Sequence, residues 1–238
     1  MAFDLRTQIP KIGERAEVLV TWYLRFNGFF PLPNFILHDA GVIKSPGQQL
    51  TEADILAIRL PFTKEVISAP NGTICTLRDP LLDIHDGTTD FLIGETCSEQ
   101  CKFNWLGKSG KEQRLLFSYA VRRFGFWEKS EVAAVVECLI KDRLWERGNA
   151  RLRLFSFGIR RDTSGTLPNG IHQIALENTL DYLRSLFSCY GQKPDRRGRN
   201  IVSDHGQWHP LIKEIYARLL GHKVQLQNPS DVSLWLFS

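Results

Sequence analysis

The chain has 238 residues, of which 43% are hydrophobic and 24% are charged, so it can bury a full core and is not typical of a disordered protein. Its six Trp and 15 Phe residues also argue against a low-complexity chain. The formal net charge of +4 permits a nucleic-acid partner without requiring one. The length fits one large domain or two small ones, and we expect a single domain over residues 1–238.

Neither targeting nor disulfide bonding is indicated by the sequence. No charged N-terminal region followed by an apolar run is present, and no apolar stretch approaches the roughly 20 residues that span a bilayer. We therefore expect a cytoplasmic protein that has no membrane partner. The cysteines are odd in number and sparse, which predicts reduced thiols: Cys75, Cys97, Cys101, Cys138 and Cys189.

The first half of the chain begins with an amphipathic helix, which short apolar strands follow. Residues 11–29 place apolar side chains three and four apart, with Gly28 after the last turn, and this pattern predicts a helix with a glycine stop. Asn71-Gly72 lies between two apolar pairs and predicts a hairpin turn. Strands are expected at 35–38, 52–59 and 90–97.

The second half is predicted to be richer in helix. Amphipathic periodicity predicts helices over 111–124, 130–147, 176–190 and 210–220. Ser130 is expected to cap the second of these and Gly148 to end it. Residues 151–159 alternate polar and apolar side chains, which predicts a strand with one exposed face, and shorter strands are expected at 171–174 and 232–237. This order of elements predicts an α/β fold with a small mixed β-sheet flanked by helices.

Two of the predicted strands each carry an acidic residue among apolar neighbours. Asp54 follows Ala53 and precedes Ile55, and Glu95 follows Leu92, Ile93 and Gly94. A carboxylate in or beside a buried strand pays a desolvation cost, and two carboxylates on neighbouring strands repel each other. A divalent metal would compensate both effects, so Asp54 and Glu95 are predicted to form a Mg²⁺ site.

The same residues resemble a known family. Glu17 lies seven residues before Leu24 in the first helix, Glu52-Ala53-Asp54 lies in a strand, and a hydrophobic strand ends in Glu95. Together they resemble the core of the PD-(D/E)xK nuclease superfamily, the restriction-endonuclease-like fold that includes Holliday-junction resolvases. The resemblance covers residues 11–104, and residues 105–238 would be helical and strand elaborations of the same domain.

The resemblance implies a function and a set of site residues. The expected activity is Mg²⁺-dependent or Mn²⁺-dependent hydrolysis of DNA phosphodiesters. Asp54 and Glu95 would bind the metal together with the main-chain carbonyl of Thr96, and Glu17 would be an outer ligand or position the attacking water. Hard carboxylate oxygens suit Mg²⁺, which lowers the pKa of a bound water and offsets charge on the scissile phosphate.

One position departs from the family pattern. The residue two after Glu95 is Cys97, where the pattern has a lysine that orients the attacking water. Lys102 is the nearest substitute in sequence, with Lys108 and Lys111 behind it. Alternatively, the site has lost catalysis and the chain is a nuclease-like module that binds nucleic acid or a protein partner.

Other interpretations of these residues stay open from the sequence alone. Asp54 and Glu95 could belong to a purely structural subunit in which Arg59 or a similar cation satisfies them. Cys97 could act as a nucleophile with a distant histidine. A zinc site could be assembled from Cys75, Cys97, Cys101 and His85, although their spacing is not that of a paired knuckle.

Three arginine clusters are candidates for contact with a phosphate backbone. Each cluster alone is more typical of ordinary solvated charge, but arginine is suited to bidentate phosphate contacts and the clusters could share one surface. They comprise Arg122 and Arg123 at a helix end, Arg160 and Arg161 after a strand, and Arg196, Arg197 and Arg199 in a loop.

Overall fold

A computed structural model describes residues 11–38, 49–63, 67–68, 74–75, 77–190, 208–220 and 228–238. In this part of the chain, helices lie on both faces of a mixed sheet of six strands, and two further short strands pair with each other. The predicted α/β class, with a mixed sheet flanked by helices, is confirmed.

The helices and strands occur in the following order along the chain. The helices are α1 (Ile12–Phe26), α2 (Gly110–Phe124), α3 (Val132–Asp142), α4 (Leu176–Tyr190), α5 (Pro210–Leu220) and α6 (Pro229–Phe237). The strands are β1 (Phe30–His38), β2 (Gln49–Arg59), β3 (Ile67–Ser68), β4 (Ile74–Cys75), β5 (Thr89–Gln100), β6 (Leu144–Arg147), β7 (Ala150–Arg160) and β8 (His172–Ala175). Single 3-10 turns lie at Pro80–Leu82 and Asn104–Gly107.

The main sheet combines antiparallel and parallel pairing. Its order is β1-β2-β5-β7-β6; β1, β2 and β5 are antiparallel neighbours, whereas β7 runs parallel to β5. The outer edge of β7 is shared by β6, which pairs antiparallel with its first half, and β8, which pairs parallel with its second half. A parallel neighbour needs a crossover connection, and α2 and α3 lie in the segment that connects β5 to β7.

Each face of the sheet buries its own hydrophobic core. Side chains of successive strand residues point to opposite faces, so one strand supplies both cores. On β5, Leu92 joins the core that α1, α4, α5 and α6 cover, whereas Phe91 and Ile93 join the core that α2 and α3 cover. Below we call these the α1 face and the α2 face.

α1 forms as its sequence predicts. Its apolar residues fall on one stripe of the helix, and the following buried side chains line the α1 face: Ala16, Leu19, Val20, Tyr23 and Leu24. Gly28 follows the helix with a φ of +83°, a conformation that glycine adopts without strain. The predicted helices at 111–124, 176–190 and 210–220 are likewise confirmed as α2, α4 and α5.

The predicted helix over 130–147 is wrong over its last five residues, 143–147. α3 ends at Asp142, and Arg143 follows it with a φ of +63°. The next four residues form β6 and pair with β7 through a turn that contains Gly148. Gly148 therefore ends a strand, not a helix. Ser130 is also not the N-cap, because Glu131 occupies that position without a side-chain capping bond.

The prediction of an exposed face for residues 151–159 is wrong as well. Strand β7 is buried on both faces because helices cover both sides of the sheet. Its polar side chains are held by a buried carboxylate: Arg151 Nη2 lies 2.9 Å from Asp90 Oδ2, and Arg153 Nε donates to Asp90 Oδ1 at 3.1 Å. Polar residues in an alternating pattern therefore formed a buried ion-pair network.

The C-terminal segment also differs from its prediction, because residues 232–237 belong to a helix. Asn228 caps α6 by accepting a hydrogen bond from the Asp231 N–H at 2.8 Å, and Pro229 lies in the first turn.

The predicted hairpin near Asn71-Gly72 is confirmed by the antiparallel pairing of β3 with β4, and the turn itself lies outside the described residues.

In the described part of the chain, strand β1 forms one edge of the sheet. Pro31 and Pro33 alternate along it with Phe30 and Leu32, whose side chains are 62% and 48% exposed. Asn34 has a φ of +52° and does not pair with β2.

No helix in the described part of the chain has the length and apolar character needed to cross a bilayer.

Candidate functional site

Asp54 and Glu95 lie where two strands stop pairing. The ladder between β2 and β5 runs from Arg59 and Asp90 to its last pair, Ile55 and Gly94. Continuing this antiparallel register by one residue brings Asp54 opposite Glu95. The two acidic residues that the sequence singles out are therefore neighbours across adjacent strands.

Beyond the last pair of the ladder, the side chain of Asp54 forms a hydrogen bond with the main chain of β5. Its Oδ2 atom accepts a hydrogen bond from the Thr96 N–H of β5 at 2.7 Å. The local geometry of β1 is irregular at the same level, because Asn34 has a positive φ. This bond fixes the Asp54 carboxylate against β5, one residue along from Glu95.

Glu95 is buried on the α2 face. It alternates along β5 with Phe91 and Ile93, and only 3% of it is exposed. Its Oε2 atom accepts a hydrogen bond from the Asn104 side-chain amide at 2.8 Å and a longer one from the Asn104 N–H at 3.4 Å. Elsewhere in the described part of the chain, Glu95 has no further hydrogen bond, so Oε1 is not engaged.

Burial and repulsion change the protonation of this pair. Burial, and secondly the negative charge of Asp54, raise the pKa of Glu95 to about 8. The hydrogen bonds from Asn104 and the charge of Lys108 act in the opposite direction. Without a bound cation, Glu95 therefore carries a proton at neutral pH, which is expected of two carboxyl groups that share a partly buried site.

Cys97 cannot replace a lysine electrostatically. Its Sγ donates a hydrogen bond to the Lys102 carbonyl at 3.6 Å. Burial, with smaller contributions from the charges of Glu95 and Asp54, raises the pKa of the thiol to about 11. The group is therefore a neutral thiol at physiological pH. It supplies neither a positive charge nor a reactive thiolate, which disfavours Cys97 as a nucleophile.

The predicted substitute, Lys102, is anchored by its main chain. Its carbonyl accepts hydrogen bonds from Ser156 Oγ at 2.6 Å and from the Cys97 thiol. The residue is exposed and lines a cavity of about 360 Å³ together with Asn104 and Leu167. Lys108, not Lys102, is the lysine whose charge acts on the pKa of Glu95.

Glu17 is not brought to the acidic pair. It lines a separate cavity of about 310 Å³ with Thr21, Arg25, Asn34 and His209. Across the described ranges, no group of three or more His, Cys, Asp or Glu side chains could hold a metal ion, so Glu17 does not join Asp54 and Glu95 in one cluster. The side chain of Glu52, the other acidic residue of the strand motif, lies outside the described part.

The arginine clusters lie on different elements of the fold. Arg122 and Arg123 are exposed in the last turn of α2, and the Arg123 guanidinium lies 4.5 Å from the ring centre of Phe35. Arg160 is the last residue of β7 and Arg161 follows it, and both line a cavity of about 540 Å³ with residues from the first turn of α4. The third cluster, Arg196, Arg197 and Arg199, lies outside the described residues.

The structure excludes Arg59 as the cation that satisfies the acidic pair. Arg59 pairs in the ladder with Asp90, five residues along β2 from Asp54, which is about 16 Å at the usual strand rise. Its guanidinium donates to the Thr63 carbonyl at 2.5 Å and lies 3.8 Å from Asp86. Arg59 therefore does not neutralise Asp54 or Glu95.

The donor set fits a divalent cation of the Mg²⁺ class. Mg²⁺ prefers oxygen ligands, and proteins usually hold it by one or two carboxylates together with substrate phosphates and waters, so the two carboxylates match the protein's share of such a site. The raised pKa of Glu95 indicates that the site favours an additional positive charge, whether a proton or a metal ion.

Asn104 is the site residue that the sequence did not reveal. An asparagine nine positions after a glutamate follows no motif spacing, and the contact depends on how the chain turns after β5. The only sequence signal is a polar residue between two aromatic ones, Phe103 and Trp105, both of which are buried.

Comparisons of this chain with protein-family models, with curated proteins and with solved structures gave no match.

Proposed function

We propose that this protein is a divalent-metal-dependent phosphodiesterase that acts on DNA, with the restriction-endonuclease-like organisation that its sequence motifs resemble. The apposition of Asp54 and Glu95 at the end of the β2–β5 ladder carries the proposal. Asp54 is fixed by the Thr96 N–H and Glu95 by Asn104, so both carboxylates are held in place before any cation binds.

In this proposal the residues of the pair have defined roles. Asp54 and Glu95 would hold Mg²⁺ or Mn²⁺, with the Thr96 carbonyl as a third oxygen donor. The bound cation would lower the pKa of a coordinated water and offset charge on the scissile phosphate. Lys108, whose charge reaches Glu95, would supply the positive charge that Cys97 lacks, with Lys102 as the alternative. Glu17 lies outside this set.

Two basic side chains indicate where the proposed DNA partner would bind. Arg122 and Arg123 lie on α2, the helix that covers the same face of the sheet as Glu95. Guanidinium groups bind phosphates in bidentate fashion, and such contacts weaken steeply with salt. These two arginines are our first candidates for contact with the DNA backbone.

Cleavage of supercoiled plasmid tests the proposal. Wild-type protein with Mn²⁺ or Mg²⁺ should nick the plasmid, and a chelator should stop the reaction. Asp54→Ala should lower the rate by at least about a hundredfold, because the shared cation loses one of its two carboxylate ligands. Asp181→Ala, which removes an exposed carboxylate on α4, is the matched control. Cleavage that persists in Asp54→Ala would show that the site is elsewhere.

The neutral thiol of Cys97 favours a second candidate, a nuclease-like module that binds DNA or a protein partner without cleaving it. The same assay separates the two candidates. A binding module should give no metal-dependent nicking in the wild type, and Cys97→Lys should then create activity by restoring a charge beside the pair. If both wild type and Cys97→Lys are inactive although Mn²⁺ binds, lysine loss does not explain the inactivity.

A further inference from the structure

The turn that follows β5 holds an exposed asparagine between two buried aromatic residues. Phe103 and Trp105 are 5% and 1% exposed, and both pack in the core of the α2 face. The Phe103 ring stacks on Phe117 of α2 with a centroid distance of 6.3 Å, and the Trp105 ring contacts Phe117 at 5.3 Å. Asn104 thus lies on a segment fixed at both neighbouring positions.

The main chain of this turn is fixed as well. The Trp105 carbonyl accepts hydrogen bonds from the Lys108 N–H at 3.2 Å and from the Gln113 side chain at 3.4 Å. Just before the turn, the Lys102 carbonyl is held by Ser156 Oγ of β7. The position of Asn104 is therefore set by β7 on one side and by α2 on the other.

From this rigid turn Asn104 contacts one oxygen of Glu95 twice. Its side-chain amide donates to Oε2 at 2.8 Å and its N–H is 3.4 Å from the same atom. Both bonds converge on Oε2, and in the described part of the chain no group hydrogen-bonds Oε1. The carboxylate is thereby held with one oxygen engaged by the protein and the other available to a cation. A hydrogen bond of this kind orients a ligand and is worth about ten- to a hundredfold in metal affinity.

We propose that Asn104 is a positioning residue that orients the Glu95 carboxylate for binding a divalent cation at the Asp54 and Glu95 pair. The proposal rests on the proposed function, because it takes that pair as the metal site. Asn104 itself contacts no metal or substrate in this account; it acts only through Glu95.

Binding of Mn²⁺ alone to the full-length protein, followed by the loss of the free Mn²⁺ electron paramagnetic resonance signal, tests this role. Asn104→Leu keeps the side-chain volume but removes the amide donor, so its Mn²⁺ dissociation constant should rise about tenfold or more. Asn104→Gln keeps an amide and should bind more tightly than Asn104→Leu. Asn178→Leu, at the start of α4, is the control for an asparagine that does not contact the pair and should bind like wild type.

Thermal unfolding without metal distinguishes positioning from a structural role, since the Asn104 residue is exposed and its main-chain contacts survive substitution. Asn104→Leu and Asn104→Gln should each have an unfolding midpoint temperature within a few degrees of that of wild type. The inference is overturned if wild type binds Mn²⁺ and Asn104→Leu binds within twofold of it, or if Asn104→Gln is as weak as Asn104→Leu. Failure of wild type itself to bind Mn²⁺ would instead remove the metal site and, with it, the proposed function.

Discussion

The protonation of Glu95 is determined by the residues around it. The residue is 3% exposed and lies opposite Asp54, and within the described residues its carboxyl group meets the two donors of Asn104 and the more distant charge of Lys108. These donors are too few to keep the group ionised, so its pKa rises from 4.5 to about 8. A proton occupies the site until a stronger positive charge replaces it.

This protonation predicts a pH dependence of stability in the metal-free protein. Because the folded pKa of Glu95 is raised above 4.5, its contribution to stability is complete below pH 4.5 and is lost as the pH rises through about 8. The free energy of unfolding should fall by on the order of a few kcal/mol between pH 5 and pH 9. Urea unfolding across this range, with a chelator present, measures the effect.

The Glu95→Gln variant isolates this contribution, because an amide does not titrate. Its free energy of unfolding should change much less between pH 5 and pH 9 than that of wild type. Glu146→Gln, at an exposed position on β6, should follow the wild-type curve. Equal slopes for wild type and Glu95→Gln would show that Glu95 does not titrate in this window.

At the scale of elements, the sequence predicted best where a long periodic pattern had one interpretation. α1, α4 and α5 run for 15, 15 and 11 residues, which is long enough to distinguish a helical stripe from alternation. The four residues of β6 and the nine of α6 are too short for that distinction. Gly148 is an equally good signal for a helix stop and for a hairpin turn, and only pairing with β7 decided between them.

For the candidate site too, the sequence predicted some residues and missed others. Asp54 and Glu95 could be found because an acidic residue among apolar strand residues is unusual whatever the fold. The partners could not be found, because the contact between Asn104 and Glu95 depends on the turn after β5. The separation of Glu17 from the pair likewise depends on which face of the sheet α1 covers.

The end of β5 lies so close to β7 that only glycine fits there. A Cβ added at Gly158 would lie 2.4 Å from the Cys101 main-chain nitrogen and 2.7 Å from the Gln100 carbonyl carbon. Gly158→Ala should therefore push β5 away from β7 and lower the free energy of unfolding by about 1–3 kcal/mol or more. Urea unfolding measures this loss.

Gly13→Ala is the matched control for this substitution, since no atom lies within 4 Å of a Cβ added there on α1. It should be neutral or stabilise the protein by about 0.5–1 kcal/mol, because alanine favours a helix over glycine. Equal effects of the two substitutions would contradict the close approach of β5 and β7.

The two ends of the ladder between β2 and β5 carry different polar side chains. Near one end of the ladder lie the acidic pair and Cys97. At the other end, Asp90 lies between Arg151 and Arg153 with 1% of its side chain exposed, and Arg59 is fully buried nearby. Arg153 also stacks over the Phe155 ring at 4.8 Å. The network links β5 to β7 across the parallel pair.

Removing the Asp90 carboxylate, which Arg151 and Arg153 share, should be costly. Asp90→Ala leaves two buried guanidinium groups without their shared partner, and the free energy of unfolding should fall by about 3–5 kcal/mol. The exposed pair of Arg114 and Glu137, with N and O atoms 2.6 Å apart, is the matched comparison, and Glu137→Ala should cost at most about 1 kcal/mol. Thermal and urea unfolding of both variants would measure the contrast. A loss for Asp90→Ala as small as that for Glu137→Ala would contradict this assignment.

The prolines of β1 have a consequence for how molecules of this protein meet one another. A proline is tolerated in a paired strand when its nitrogen faces away from the neighbouring strand, so the outward side of β1 offers no N–H donor at Pro31 or Pro33. The outer edge of the sheet thus cannot template another strand along this segment, even though Phe30 and Leu32 expose apolar surface there. The prolines of β1 therefore disfavour edge-to-edge pairing of two sheets along residues 30–33, although apolar side chains are exposed there.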